Sequence, residues 1–233
     1  MLISIVVPVY NEEEILGDFV HQLVNALSQL NVSYEILLCE NGSTDRTPVI
    51  ARRLSEDYQQ VRVESLGQTD YGKALKLGIS RSAGKYIVVF NVDLWDIKFA
   101  EACLADLDGY DILVGSKAIL GAQDKRALVR RLVTRSFNVL LKIFFGFQGT
   151  ETHGIKAFNR RKIFKLLPQC KTEGEIFDTE IILRAGRMGL SILEVPVVVE
   201  EKRPSRSPLL PRISRSLRDL VILAAALGNR DHK

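Results

Sequence analysis

The chain of 233 residues is poor in several features that mark the simplest protein classes. Its three cysteines, Cys39, Cys103 and Cys170, are too few and too scattered for a disulfide framework or a zinc cage, and they fit a reducing compartment. Aromatic residues make up only 7%, which leaves no obvious stacking platform for nucleic acid, so no nucleic-acid partner is expected. Neither Gly-x-Gly-x-x-Gly nor a Walker A pattern occurs, and dinucleotide and P-loop readings lose most of their weight. No apolar run nears the ~20 residues of a membrane span. The first ten residues lack the basic stretch and small-residue cleavage site of a signal peptide. The expectation is a soluble or peripheral protein of the cytoplasm.

What is present is ordinary globular composition, 46% hydrophobic and 26% charged, with enough chain for one large core. Charge is uneven. Residues 1–100 carry 9 Lys and Arg against 13 Asp and Glu, whereas residues 101–233 carry 23 against 15. The basic half suits an anionic partner such as a phosphorylated lipid or a membrane surface, although a solvated face has the same composition.

Residues 3–9 form a β-branched run closed by polar residues, and residues 16–30 repeat apolar side chains at helical spacing. Strands are expected at 34–38, 61–66 and 86–90, with helices at 47–57 and 71–82 between them. This alternation argues a mostly parallel α/β sheet with helices on both faces. In such sheets ligands bind beyond the carboxyl ends of the strands. Polar residues collect there: Tyr10, Asn11 and Glu12 after the first strand, Glu40 to Asp45 after the second, and Asn91 to Asp93 after the fourth.

Residues 124–147 read as one long helix with Arg131, Thr134, Arg135, Asn138 and Lys142 on one side. Leu128, Val129, Leu132, Val133, Phe137, Leu140, Ile143 and Phe144 fall on the other. That pattern suits either a helix packed on its own core or one lying at a membrane surface. A strand at 192–199, a basic proline-broken loop at 202–208 and an amphipathic helix at 214–227 complete the pass.

The run from Ile3 to Glu13, with Tyr34-Glu35-Ile36 leading into Asn41-Gly42-Ser43-Thr44-Asp45, resembles glycosyltransferase family 2. Within it the chain looks most like the polyprenyl-phosphate mannose and glucose synthases. Gly72-Lys73-Ala74, Gly115-Ser116-Lys117, Thr152 to Phe158, Phe177-Asp178-Thr179-Glu180 and Glu194-Val195-Pro196-Val197 extend the likeness over nearly the whole chain. The resemblance implies a single GT-A type domain, with residues 1–115 holding a nucleotide sugar and 116–233 facing acceptor and membrane. It implies an inverting transfer of a hexose from a UDP- or GDP-sugar to a polyprenyl phosphate at the cytoplasmic membrane face.

By the same likeness, Pro8, Tyr10, Glu12, Glu40, Asn41, Lys73, Val92 and Asp93 would bind the nucleotide sugar. Asp93, with Asn91, would hold Mg²⁺ or Mn²⁺ against the diphosphate, and Asp93 is the expected catalytic residue. The family's Asp-x-Asp is here Asn91-Val92-Asp93, one carboxylate short; Asp96 either compensates or caps the next helix. Lys117, Arg130, Arg131, Thr134 and Lys202 would hold the acceptor phosphate, which arginine forks suit. A phosphate monoester needs no general base, whereas an alcohol acceptor would need Asp178, Glu175 or His153. A scaffold protein with a lapsed site is the reading from another class, prompted by Asn91 and Trp95. A membrane partner subunit and a homo-oligomer both stay open.

Overall fold

The computed structural model describes residues 2–199 and 209–228, with side chains in the second stretch from Arg218 onward. In chain order the elements are β1 (Leu2–Val9), α1 (Leu16–Ser28), β2 (Ser33–Glu40), α2 (Thr47–Asp57), β3 (Val61–Ser65), α3 (Tyr71–Arg81), β4 (Tyr86–Val89) and α4 (Ile97–Asp106). There follow β5 (Ile112–Ser116), β6 (Gln123–Asp124), α5 (Leu128–Phe145), β7 (Lys156–Asn159), α6 (Arg160–Leu166), α7 (Phe177–Arg187), β8 (Ile192–Pro196), β9 (Val198–Val199) and α8 (Leu209–Gly228). Seven strands form one sheet in the order β3-β2-β1-β4-β7-β5-β8. Only β7 runs antiparallel to its neighbours, β4 and β5.

Both faces of this sheet are buried, so its strands are continuous hydrophobic runs whose alternate residues enter different cores. In β1, Ile3, Ile5, Val7 and Val9 join Leu16, Phe19, Leu23 and Leu27 of α1 in one core. Val6 points the other way, among Leu37, Cys39, Ala74 and Leu75, in a second core that α7 and α8 complete. Gly78 is where α3 comes closest to the sheet: a Cβ there would stand 2.3 Å from Cys39 Sγ and 2.5 Å from Val6 Cγ1.

The first half matches the sequence reading closely; the second departs from it. The long helix starts at Leu128 rather than at 124, because Gln123–Asp124 pairs with Val198–Val199 as a two-stranded ribbon. The expected strand at 192–199 accordingly breaks after Pro196 into β8 and β9. The last helix begins at Leu209, earlier than expected. The basic loop at 202–208, including Lys202, lies outside the described residues. Among the described residues no helix is long and apolar enough to cross a membrane.

Gly78→Ala is expected to overpack the α3–sheet contact and lower unfolding free energy by about 1–3 kcal/mol. Urea denaturation checks this, and an unchanged midpoint would contradict the close approach.

Candidate functional site

Parallel strands bring the loops after β1, β2, β4 and β5 to one edge of the sheet. Because β7 is antiparallel, the segment that leads into it, residues 150–155, arrives at that same edge. The loops after β1, β2 and β4 and the cationic second half therefore meet there.

The loops after β1 and β2 are stitched together by side chains. Asn11, held at φ 51°, accepts from the Thr44 amide (2.8 Å), while its own amide donates to Ser43 Oγ (3.1 Å). The Glu12 amide donates to Thr47 Oγ1 (2.8 Å), and the Arg46 amide to Glu13 (3.0 Å). Glu40 and Asn41 are buried at the end of β2. Glu40 accepts from the Ser43 amide (2.5 Å) and Ser65 Oγ (2.9 Å), and Asn41 Oδ1 from the Asp70 amide (2.5 Å). These two residues thus tie the end of β2 to its own loop, to the end of β3 and to the start of α3. Pro8 is half-buried and Tyr10 exposed beside it.

Asp70 caps α3, accepting from the Lys73 amide at 2.9 Å, and also takes the Gly174 amide at 3.0 Å. Burial pushes its carboxyl up, but those amides and the Lys73 charge outweigh it and hold the carboxyl below its ordinary range. Lys73 Nζ bridges Asp70 (3.5 Å) and Glu173 (2.8 Å), so it reaches across the site edge to the α7 approach.

Asn91 and Leu94 exchange two backbone hydrogen bonds, 3.0 and 3.1 Å, which makes a tight turn with Val92 buried and Asp93 exposed. Asp96 caps α4 by accepting from the Lys98 amide (2.9 Å), the second of its two expected roles. Trp95 packs edge-on against Phe19. Among the described residues no cluster of three or more His, Cys, Asp or Glu could cage a metal. One exposed carboxylate and an amide oxygen still fit a hard cation that shares its shell with substrate phosphates, which is how Mg²⁺ commonly binds.

Gly154, at φ 97°, joins this turn to the cationic side: a Cβ there would lie 3.8 Å from Leu94 Cδ2 and 3.9 Å from Lys117 Nζ. A small pocket is lined by Lys117, Arg126, Arg131, Thr134, Arg135 and Asn138, with Asp124, Thr150 and Glu151 opposite. Lys117 Nζ pairs with buried Glu151 (2.8 Å), and Arg126 grips Asp124 through two bonds of 2.8 and 2.7 Å. Asn138 donates to the Thr150 carbonyl (2.5 Å), and its buried Oδ1 has no hydrogen-bond partner among the described residues. Of the expected acceptor residues, Lys117, Arg131 and Thr134 come together here; Arg130 does not line the pocket, though its carbonyl accepts from Thr134 Oγ1.

Beneath the junction, buried Lys156 pairs with Asp178 Oδ2 at 3.0 Å, and Tyr71 donates to the same oxygen at 3.2 Å. Asp178 Oδ1 is buried without a partner among the described residues. Burial holds His153 below the ordinary imidazole range, partly offset by Asp178 and Glu151. Sequence reading passed over Glu151 and Thr150, whose partners Lys117 and Glu194 are brought to them by the fold, and Arg126, whose partner Asp124 is two residues away.

A mostly parallel sheet with an acidic turn after β4 and a cation-lined pocket after β5 is the arrangement of a GT-A type glycosyltransferase. The glycosyl transferase family 2 model matches residues 4–167, and the chain belongs to that family. The dolichyl-phosphate beta-glucosyltransferase of Saccharomyces cerevisiae is 31% identical over 263 aligned positions, covering all of this chain and 78% of that protein. The Dictyostelium discoideum protein of the same name is 28% identical over 84% of this chain and 65% of its own length. Glycosyltransferase AglD of Haloferax volcanii is 28% identical over 89% of this chain but only 34% of its own. The crystal structure of Mycobacterium tuberculosis glucosyl-3-phosphoglycerate synthase with Mn²⁺, UDP and phosphoglyceric acid superposes with a TM-score of 0.71. It covers 99% of this chain and 80% of that one at 21% identity, a likeness of fold.

Asp70→Ala is expected to cost about 0.5–2 kcal/mol at neutral pH, the usual value of a helix cap. Because the folded carboxyl is depressed, its contribution is complete above the unfolded value of ~3.9 and disappears as pH falls through the lower folded one. Urea unfolding of both proteins at falling pH should show the gap constant above pH ~3.9 and narrowing only below it; a gap that narrows above that pH contradicts the assignment.

Proposed function

We propose that the chain transfers a hexose, glucose by the names of its yeast and Dictyostelium relatives, from a nucleoside-diphosphate sugar to a polyprenyl phosphate. UDP-glucose is the favoured donor, since structures of the same fold carry UDP and UDP-glucose; GDP-sugars are the comparison. Residues 1–115 form the donor side and 116–233 the acceptor side of one domain. The observation that carries the reading is the pocket of Lys117, Arg126, Arg131 and Arg135 placed, through Gly154, beside the Asn91–Leu94 turn.

The chemistry is a single displacement with inversion. An acceptor phosphate oxygen attacks the anomeric carbon while the bond from that carbon to the donor's β-phosphate oxygen breaks, and its electron pair leaves with the nucleoside diphosphate. A phosphate monoester is largely ionised at pH 7, its second pKa being ~6, so no side chain need take a proton. Lys117 and Arg131 hold and screen the acceptor; Thr134 and Asn138 fix its orientation. Pro8, Tyr10, Glu12 and Asn41 frame the nucleoside, with Glu40 bracing the loop. Asp93 and Asn91 would ligate Mg²⁺ or Mn²⁺, which neutralises charge on the leaving diphosphate when bound.

The exposed side of α5 supports a lipid acceptor. Leu128 is 77% exposed, Leu132 65%, Ile143 69% and Phe144 66%, while the arginine side faces the pocket. Such a helix suits the surface of a membrane, with apolar side chains in the acyl boundary and the phosphate held beneath. The protein then works as a peripheral enzyme, at the cytoplasmic face.

Arg131→Ala should reduce transfer to polyprenyl phosphate by about 10–100-fold, the value of a hydrogen bond to a charged group, with nucleotide affinity preserved. Activity equal to wild type in a radiolabelled transfer assay would sink the acceptor assignment. Asp93→Ala should remove Mn²⁺-dependent turnover, as should chelation of the wild type. Turnover insensitive to both would refute the cation's role.

A further inference from the structure

Next to the cation pocket lies a second cavity, of about 450 Å³, which the donor site does not use. Its walls are Phe145, Phe147, Ile182, Leu183, Ile192 and the open Cα of Gly186, contributed by the end of α5, the loop after it, α7 and β8. Two carboxylates also border it, but their oxygens are engaged elsewhere. Glu151 accepts from Lys117 (2.8 Å) and from the Thr152 and His153 amides. Glu194 takes the Thr150 amide (2.5 Å) and Thr150 Oγ1 (2.6 Å). Gln148 and Arg187 complete the polar lining, with their own donors turned to backbone: Arg187 donates to the Leu227 carbonyl (2.9 Å) and Gln148 to the Gly146 carbonyl (3.0 Å). Glu151 lines both this cavity and the cation pocket, so the two spaces share a wall.

We propose that this cavity receives the first isoprene units of the acceptor, the phosphate lying in the Lys117–Arg131 pocket and the chain turning past Glu151. The inference rests on the lipid-phosphate reading above and adds a subsite to it. The volume falls within the ~300–1,000 Å³ of pockets that enclose small ligands, and apolar burial there favours a hydrocarbon over water. The remaining chain leaves beside Phe144 and Ile143, along the exposed apolar side of α5. The apolar cavity thus gives selectivity for a prenyl chain that the cations alone would not, since they hold any phosphate.

Gly186 makes the test clean. It sits near the end of α7, and a Cβ built on it meets nothing within 4 Å. Gly186→Phe adds bulk at the cavity wall from a Cβ that stands clear of its neighbours, and Gly186→Leu is the milder variant should the first fold poorly. Titration calorimetry of the full chain with farnesyl phosphate and with inorganic phosphate reads the effect without turnover. Wild type should bind farnesyl phosphate at least about tenfold more tightly than phosphate. The filled variants should bring the two affinities together while phosphate and UDP binding stay as in wild type. Undiminished farnesyl phosphate binding in both variants, or no preference in wild type, overturns the subsite. Transfer to farnesyl phosphate by wild type is measured in parallel: a preference lost in the variants with no transfer by wild type leaves the subsite and rejects the proposed reaction, and transfer by wild type with a preference unchanged in the variants does the reverse.

Discussion

One antiparallel strand organises the site. β7 lies between β4 and β5 and runs against both, so the chain enters it at the edge where the parallel strands end. Its first residue, Lys156, is fully buried and is held by Asp178 of α7 at 3.0 Å and the Gly154 carbonyl at 2.9 Å. Tyr71, at the start of α3, closes the same cluster from the donor side. An ion pair this deep is a weak source of net stability, but removing one partner strands the other charge and typically costs about 3–5 kcal/mol. The pair therefore acts as a register pin: it fixes residues 150–155, and through them the distance between the acidic turn and the cationic pocket.

The same division of labour holds among the motif residues. Ser43, Thr44, Asp45 and Thr47 belong to the most recognisable stretch of the sequence, yet their side chains and amides serve the loop after β1. Glu40 and Asn41 tie the end of β2 to its own loop and to the start of α3. Charge is placed on the same principle. Glu151 and Asp124 balance Lys117 and Arg126, which keeps a concentrated group of cations compatible with folding, while Arg131 and Arg135 add further positive charge to the same pocket.

The first half was legible because its information is local. Hydrophobic runs such as 3–9 and 34–38 are long enough to fix strands, and the polar residues after them mark the binding edge. The second half carries non-local information instead. Nothing near Lys156 in sequence says that it is buried, since its partner lies in α7, beyond α6. Gln123–Asp124 joins a strand only because Val198–Val199 returns beside it, which shortens the expected helix. Of the residues that the wheel put on the apolar side of α5, Leu128, Leu132, Ile143 and Phe144 are exposed, while Phe137 and Leu140 pack against the second core. Which side faced inward depended on Glu151 and Thr150, residues the wheel does not contain.

In the proposed reaction the turn bearing Asp93 and the loops around Asn11 and Asn41 together hold a nucleoside-diphosphate sugar with its cation. Thermal unfolding with UDP-glucose and with GDP-mannose, each with and without Mn²⁺, tests it most directly. A ligand at about 1,000 times its Kd stabilises the native state by ~4 kcal/mol. The account predicts a rise in Tm with UDP-glucose that Mn²⁺ enlarges and GDP-mannose does not match. No rise with any nucleotide sugar, with or without the cation, would contradict it and leave a family 2 fold whose donor site has lapsed.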